Sequence, residues 1–345
     1  INQVNKDILS FLFKGEIPRE NTNNITVNII DNFIEVKNNG PLGGISVKMH
    51  EIENIWNPEL TFGHLLTSTN YNDNQNRVVG GRNGYGAKLT NVYSSEFHLN
   101  IKDAENNIEY SQIWRDNMKT CEKPKMKKYN AKTSYVTIKF KPDWKLFGMN
   151  NIDDDIIKII EKRVHDANVC TSLNCKVSFQ DKQLPKYPLN VYAKMYKNTE
   201  EICSVSNENW SICVLPNDGF EQISFVNGIC TTKGGSHVDY ITNMICNSII
   251  EELSKKVKLK PQQVKNCFMI FVKATLVNPS FSSQVKSECT LKVSEFGSKF
   301  ELPKTFTKNI LKTDIYQDLM NVAKMKEMKE LKKSDGVRKN KITGI

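Results

Sequence analysis

The sequence predicts an α+β fold of two domains that ends in a long helix, and three observations support this. The 345 residues exceed what one hydrophobic core usually organises, since single cores stop growing near ~250–300 residues. Segments of two-residue alternation occur in both halves of the chain, interleaved with segments of helical periodicity. Hydrophobic residues make up 39% and charged residues 25% of the chain, which is typical of globular proteins and unlike disordered or collagen-like chains.

The first domain is predicted over residues 1–198, where the elements follow from the spacing of apolar residues. Residues 1–12 have helical spacing, and the chain then alternates around Asp31-Asn32, which is the pattern of a β-hairpin. A loop rich in residues that tolerate unusual backbone angles follows at Asn38–Gly44. The remaining elements of this domain are strands at 97–101, 108–114, 135–140 and around Val177, and helices at 89–93 and 153–165.

The second domain is predicted over residues 199–345. Alternation predicts strands at 210–214 and 223–225, and helical spacing predicts a helix from about His237 to Lys256. Cys267–Val277 is a nearly continuous apolar stretch interrupted by Lys273, which is typical of a strand buried on both faces. One lysine-rich helix is predicted from Lys308 to about Lys332.

The formal net charge of +10 favours a polyanionic partner or a phosphate ligand. Only six of the 48 basic residues are arginine, so the excess charge is lysine, which attracts phosphate as a point charge but reads base edges poorly. A surplus of lysine is equally typical of a plain solvated surface. The charge alone therefore leaves both interpretations open.

Cysteine spacing and hydropathy indicate the kind of cellular compartment in which the chain is expected. The nine cysteines include no C-x-x-C pair, so we expect reduced thiols in an intracellular, reducing setting and no zinc site. The longest apolar stretch has eleven residues, whereas a membrane helix needs ~20, so we expect no membrane span.

A glycine-rich segment at Gly80–Lys88 precedes the helix predicted at 89–93. Glycines before a helix let backbone N–H groups approach phosphate oxygens, and the helix dipole adds to the attraction. The segment is not a Walker A loop, because Gly86 is followed by Ala87 and only then by Lys88. Taken alone, it predicts either a phosphate site or a structural glycine turn.

Six motifs, in one order along the chain, carry a resemblance to a known family. The sequence resembles the ATPase and transducer region of eukaryotic-type DNA topoisomerase II, a type IIA enzyme, from about residue 25 to the end. The motifs are Phe62–Tyr71, Gly80–Leu89, Trp114–Met118, Ile223–Gly228, Lys233–Tyr240 and Asn278–Lys286.

The resemblance implies a Bergerat-type (GHKL) ATPase α/β sandwich, followed by a transducer domain with a mixed sheet and a C-terminal helix. It implies ATP and Mg²⁺ as cofactors, and a gate whose ATP cycle drives passage of a DNA duplex through a double-strand break. The implied ATP-binding residues are Asn2, Asn38, Ser68, Thr69, Asn70, Gly81, Arg82, Asn83, Gly84, Tyr85, Gly86, Ala87, Lys88, Gln284, Val285 and Lys286.

Gln284 and Lys286 match the family's Gln-x-Lys loop and are the implied catalytic residues, with the lysine reaching the γ-phosphate from the transducer. Such an amine gains a charge-assisted contact only while the γ-phosphate is present, which makes it a two-state sensor. Without the resemblance, Lys286 would be typical of a solvated loop lysine. Two positions depart from the family pattern: Val285 replaces threonine, and Pro41-Leu42 lengthen the glycine turn.

The resemblance also implies a magnesium ligand and a general base. Asn2 is the implied magnesium residue, with Asn5 as its competitor, and the family's glutamate base would lie before Ile1. We therefore expect the chain to be a fragment with little or no ATPase activity of its own, because no carboxylate activates the water.

The implied partners are double-stranded DNA and a second copy of the chain across the ATPase gate, in the nucleus or, for a viral protein, in the host cytoplasm. The family's DNA-facing patch corresponds to Lys255, Lys256 and Lys258. A second cluster, Lys123–Lys128, is equally typical of a solvated loop. Two rival functions stay open: another ATPase of the same fold (a chaperone or a mismatch-repair clamp), and a non-catalytic basic module that binds nucleic acid.

Overall fold

The computed structural model describes residues 22–42, 45–64 and 85–337. By packing, the chain divides into two compact units. The first extends to Tyr187 and includes Asn227–Ile229 and Ser283–Val285, and the second contains Pro188–Val226, Cys230–Ser282 and the chain from Lys286. The domain boundary expected between residues 198 and 199 stays a prediction.

The first unit is built on one nine-stranded sheet in the order β5-β4-β3-β7-β2-β1-β8-β9, with β6 paired to β4. Neighbouring strands are antiparallel except β1 and β8, which run parallel. The strands are β1 Asn24–Ile30, β2 Phe33–Asn39, β3 Ser94–Asp103, β4 Ile108–Arg115, β5 Thr120–Cys121, β6 Lys125–Lys128, β7 Tyr135–Pro142, β8 Lys176–Phe179 and β9 Lys182–Gln183.

Among the described residues, this unit contains the helices α1 Asn57–Gly63, α2 Tyr85–Val92 and α3 Asp154–Cys170. The inward side chains of the strands, such as Ile34, Phe97 and Leu99, form one core with Ile156 and Ile160 of α3. Asp153 caps α3, since its Oδ1 accepts the N–H of Ile156 at 2.9 Å. The core therefore lies on one side of the sheet and leaves the other side polar.

Two predictions for this unit meet different outcomes. The hairpin is confirmed: Asp31 and Asn32 have φ of 50° and 65°, as a two-residue turn between β1 and β2 requires. The helix predicted at 89–93 begins earlier, at Tyr85, and ends at Val92. Ala87 and Lys88 are good helix formers, so one glycine at position 86 does not keep this turn out of the helix.

The second unit contains a five-stranded mixed sheet in the order β10-β11-β15-β12-β13 and a separate parallel pair, β14 and β16. Its strands are β10 Cys203–Ser206, β11 Trp210–Pro216, β12 Glu221–Val226, β13 Ile229–Cys230, β14 Gly234–Gly235, β15 Phe268–Ala274 and β16 Glu288–Cys289. Its helices are α4 Leu189–Lys194, α5 Ser236–Leu253, α6 Pro261–Lys265, α7 Lys304–Ile310 and α8 Asp314–Val337.

The strand predicted to be buried on both faces is confirmed as β15. It lies between β11 and β12, and six of its seven residues are buried. The prediction of a single C-terminal helix was wrong, because the chain forms two helices, α7 and α8, with a break at Leu311–Thr313. Thr313 explains the break: its hydroxyl donates to the Ile310 carbonyl at 2.7 Å and accepts the N–H of Ile315 at 3.4 Å.

His237 is a core residue near the start of α5. It is fully buried, with Nε2 3.2 Å from the Thr231 hydroxyl, and burial lowers its pKa to about 3. The imidazole is therefore neutral at neutral pH and serves packing rather than proton transfer.

Candidate nucleotide site

Two adjacent asparagines at the end of β2 face opposite sides of the sheet. Asn38 follows Ile34 and Val36 on the core side and is half-buried. Asn39 points to the other side, where its Oδ1 accepts the N–H groups of Asn23 and Asn24 at 3.0 and 2.8 Å. It borders a polar cleft of about 390 Å³, which therefore lies across the sheet from Asn38. Of the two asparagines, Asn38 is the one on the core side of the sheet.

Helix α2 approaches the same side of the sheet as Asn38. Ala87 packs against the core that Val36 also joins, and Asn91 holds α2 to α1 by donating to the Phe62 carbonyl at 3.1 Å. Tyr85, Gly86 and Ala87 form the first turn and are half-buried. The first turn of a helix presents unsatisfied backbone N–H groups, so this end of α2 can receive an anion.

Lys88 completes that first turn and is the clearest electrostatic feature of the site. Its side chain is 1% exposed, and burial lowers the pKa of its ammonium group. A cation at the positive end of a helix is also opposed by the helix dipole. Both effects disfavour the charge in the free protein, and a polyphosphate beside it would offset both. The residues present thus fit the phosphates of ATP.

Gly86 leaves room beside the helix. A Cβ built at this position meets no heavy atom within 4 Å in the described part of the chain. The backbone of α2 is therefore open to close approach at this position, as a phosphate-binding turn requires.

A buried carboxylate holds the segment at Ser46 and Val47, which follows β2 in the chain. Asp103 is fully buried, and its Oδ2 accepts hydrogen bonds from the Ser46 hydroxyl, the Val47 N–H and Asn106 Nδ2 at 3.0, 2.8 and 2.7 Å. Burial would raise the pKa of this carboxyl group, but the hydrogen bonds outweigh burial and lower it. The sequence offered no sign of the link to Ser46 and Val47, because these two partners are 57 and 56 residues away in the chain.

Several predicted site residues lie outside the described residues. These are the implied magnesium residue and most of the serine-rich and glycine-rich loops: Asn2, Ser68, Thr69, Asn70, Gly81, Arg82, Asn83 and Gly84. Among the described residues, no cluster of three or more His, Cys, Asp or Glu side chains could hold a metal ion.

The Gln-x-Lys motif occupies a tight loop before β16. An antiparallel bridge between Phe281 and Cys289 and a hydrogen bond from Ser282 N to Glu288 O at 3.1 Å close the loop. Gln284 is exposed, whereas Val285 and Lys286 are half-buried. Lys286 has φ of 57°, a left-handed backbone that is uncommon for lysine, so the loop itself imposes the conformation.

Gly235 supports the base of this loop, a role that sequence reasoning missed. It pairs with Cys289 in the β14–β16 ladder and has φ of 121°. A Cβ at this position would lie 2.2 Å from the Cys289 carbonyl oxygen and 2.6 Å from its nitrogen. Only glycine fits there. The available signal was the Gly234-Gly235 pair within the Lys233–Tyr240 motif.

The predicted DNA-facing lysines follow α5 directly. Lys255, Lys256 and Lys258 are exposed, and the ammonium of Lys256 lies 5.5 Å from the centre of the Tyr316 ring. The nine cysteines, all described, are free thiols. No helix among the described residues is long and apolar enough to cross a membrane.

Comparison with known proteins agrees with this architecture. The sequence model of the DNA gyrase B family matches residues 172–337. The chain is 39% identical to the crystallised ATPase region of Saccharomyces cerevisiae topoisomerase II, with a TM-score of 0.85, covering 93% of this chain and 85% of that one. It is 36% identical to the ATPase and transducer domains of DNA topoisomerase II from Balamuthia mandrillaris, with a TM-score of 0.84, covering 94% of this chain and 85% of that one.

Complete relatives are much longer. DNA topoisomerase 2 of Arabidopsis thaliana is 40% identical over 332 residues, which are 92% of this chain and 22% of the relative. The enzyme of Acanthamoeba polyphaga mimivirus is 41% identical over 315 residues, 88% of this chain and 24% of the relative. The chain thus spans about a quarter of the length of the curated relatives that it matches.

The following features define a Bergerat-type ATPase with a transducer domain. They are a large sheet backed by helices, a buried lysine in the first turn of a helix, and a second unit with a mixed sheet. The fold predicted from the sequence is confirmed. The chain belongs to the eukaryotic-type DNA topoisomerase II family and matches its ATPase region.

Proposed function

We propose that this chain is the ATP-operated gate of a type IIA DNA topoisomerase. ATP binding and hydrolysis would be coupled to the capture of one DNA duplex and its passage through a double-strand break made by other parts of the enzyme. The observation that carries the proposal is the buried Lys88 at the first turn of α2, in a chain 39% identical to a topoisomerase II ATPase region.

The first unit supplies the nucleotide contacts in this proposal. The Asn38 amide would contact the adenosine, and the first turn of α2 and the Lys88 ammonium would hold the phosphates. The other loop residues of the motif, Ser68–Asn70 and Gly81–Gly84, would complete the site. Mg²⁺ would be held by Asn2 and the phosphates, and would neutralise charge on the transferred phosphoryl group.

The Gln-x-Lys loop supplies the sensor, with Lys286 in the second unit and Gln284 grouped with the first. Lys286, with Gln284, would contact the γ-phosphate, and the contact would be lost after hydrolysis and phosphate release. The strained backbone at Lys286 supports this role, because such conformations cost about 1–3 kcal/mol and persist where a loop must hold one shape. A solvated surface lysine would need no such constraint.

The partners in this proposal are double-stranded DNA and a second copy of the chain, in the nucleus or in the host cytoplasm if the source is a virus. Lys255, Lys256 and Lys258 would neutralise phosphates without reading sequence. The rival of another ATPase of this fold, a chaperone or a mismatch-repair clamp, is not favoured, since the relatives matched over nearly the whole chain are topoisomerases II. The rival of a non-catalytic basic module does not account for the 39% identity to a topoisomerase II ATPase region.

Replacing Lys286 with alanine should abolish the discrimination between nucleotides with and without a γ-phosphate. A hydrogen bond to a charged group is worth about 1.5–3 kcal/mol, so the affinity ratio of a non-hydrolysable ATP analogue to ADP should fall about 10- to 100-fold. Calorimetric titration of both nucleotides with Mg²⁺ measures this ratio.

Lys292→Ala is the matched control, because Lys292 is an exposed lysine shortly after β16. Its ratio should equal that of the unaltered chain. A Lys286→Ala ratio that also stays unchanged would refute the sensor role.

A further inference from the structure

The side of the nine-stranded sheet that faces away from the core carries an excess of positive charge. The outward positions of β1–β4 and β6–β8 hold eight cations against three carboxylates. We call these residues the basic sheet face. The cations are Lys37, Lys102, Arg115, Lys125, Lys127, Lys139, Lys141 and Lys176, and the carboxylates are Glu35, Glu96 and Glu109.

Strand pairing, rather than sequence proximity, assembles this face. Lys139 of β7 lies between Glu35 and His98 of the neighbouring strands, and Lys102 of β3 lies between Tyr135 and Glu109. The segment Lys125–Lys128, which a solvated loop would also explain, forms the exposed strand β6, and its alternate residues Lys125 and Lys127 add to the same face. The members are exposed or half-buried, so they are accessible to a ligand.

The acidic side chains of the face do not neutralise its lysines. Glu96 pairs with Arg115 and His98, and Arg115 also pairs with Glu122. Glu109 accepts a hydrogen bond from Asn100 Nδ2 at 3.0 Å. None of the lysines of the basic sheet face has a carboxylate within 4.0 Å in the described part of the chain. Their charges are therefore available to an external anion.

Aromatic rings hold four of the ammonium groups in place. The ammonium groups of Lys139 and Lys141 lie 4.7 and 5.9 Å from the ring centre of Phe33. That of Lys37 lies 4.8 Å from the ring centre of Tyr135, and that of Lys102 lies 5.8 Å from the ring centre of Tyr129. These cation–π contacts restrain long side chains that would otherwise lose entropy on binding. They also cover the rings, which are then not free to stack on unpaired bases.

We propose that the basic sheet face binds the phosphate backbone of duplex DNA without reading its sequence. Six adjacent strands from β6 to β1, spaced ~4.8 Å apart, make a surface about 24 Å wide. Duplex DNA carries one negative charge per ~1.7 Å of its axis, so several phosphates fit within that width. The face lacks the apolar centre of a stable protein interface, which argues against an acidic protein. The choice of duplex DNA rests on the proposed function.

The test compares two doubly substituted variants of the complete chain that have the same net charge. Lys102→Gln with Lys139→Gln removes two charges from the face, whereas Lys145→Gln with Lys158→Gln removes two exposed lysines that lie outside the sheet. Fluorescence anisotropy with a labelled mixed-sequence duplex, from about 50 to 200 mM salt, gives the affinity and its salt dependence.

The variant of the face should bind the duplex about 10- to 100-fold more weakly at low salt. Its slope of log affinity against log salt should become shallower by about 2, since each lost phosphate contact contributes ~0.9. The variant outside the sheet should match the unaltered chain. Equal affinities and slopes for the two variants would overturn the proposal.

Two further measurements distinguish this proposal from the proposed nucleotide function and from binding of an acidic protein. Both variants should bind an ATP analogue as tightly as the unaltered chain does. If neither the variants nor the unaltered chain binds the analogue, the proposed function fails, while the comparison of the variants on DNA still stands. A polyglutamate peptide of comparable charge should compete poorly. If the variant of the face loses the peptide but keeps the duplex, an acidic protein is the partner and the proposal is wrong.

Discussion

Replacing Lys88 with methionine should weaken binding of an ATP analogue about 10- to 100-fold while leaving the fold intact. Lys88 is 1% exposed, and burial lowers the pKa of its ammonium group, so the charge is disfavoured in the free protein. Methionine keeps most of the volume and removes the charge. The bound polyphosphate would lose a charge-assisted contact worth about 1.5–3 kcal/mol.

Calorimetric titration gives the affinity for the nucleotide, and thermal unfolding without nucleotide gives the stability. Lys145→Met is the control, because Lys145 is exposed and lies in a short turn after β7. That variant should keep its affinity. A Lys88→Met protein that binds the analogue normally would remove Lys88 from the nucleotide site. A protein destabilised by several kcal/mol would show that Lys88 is a structural residue.

Gly235→Ala should lower the free energy of unfolding of the second unit by about 3–5 kcal/mol, which is roughly 10 °C in the unfolding temperature. The added Cβ would lie 2.2 Å from a backbone oxygen of Cys289, and the φ of 121° is itself strained for alanine. Relief of the clash requires β14 and β16 to separate. Because this ladder closes the loop that carries Lys286, the preference for ATP over ADP should fall as well.

Gly219→Ala is the matched control for this effect. Gly219 also has a positive φ, of 92°, but a Cβ there meets no heavy atom within 4 Å in the described residues. The free energy of unfolding of the control should fall only by the backbone strain of alanine, about 1–2 kcal/mol. Its preference for ATP over ADP should stay unchanged. Equal stability losses in the two variants would show that the approach to Cys289 is not what requires glycine at position 235.

The sequence predicted those parts of the fold that depend on neighbouring residues in the chain. The hairpin of β1 and β2 was predictable because Asp31 and Asn32 tolerate left-handed backbone between alternating strands. The buried strand β15 was predictable from its nearly continuous apolar run, which only Lys273 interrupts. The start of α2 was misplaced because the whole glycine-rich segment Gly80–Lys88 was interpreted as a loop, although Ala87 and Lys88 favour a helix.

Features assembled from distant segments were not predictable. The approach of Gly235 to Cys289 depends on a ladder between two strands of two residues each, too short to leave a periodic pattern. The basic sheet face depends on the order β4-β3-β7-β2, which brings Lys102, Lys139 and Lys37 onto adjacent strands. The site residues themselves came from motif resemblance, since a buried lysine and a solvated lysine look the same in a sequence.

The most direct test of the nucleotide-gate account is a calorimetric titration of this chain with a non-hydrolysable ATP analogue and Mg²⁺, beside Gly86→Val. A Cβ at position 86 meets no described residue within 4 Å, and valine differs little from glycine in helix propensity, so the variant should fold normally. Its side chain would occupy the space that the phosphates need. We expect the unaltered chain to bind the analogue and the variant not to bind. A well-folded chain that does not bind, or a variant that binds equally well, would contradict the account.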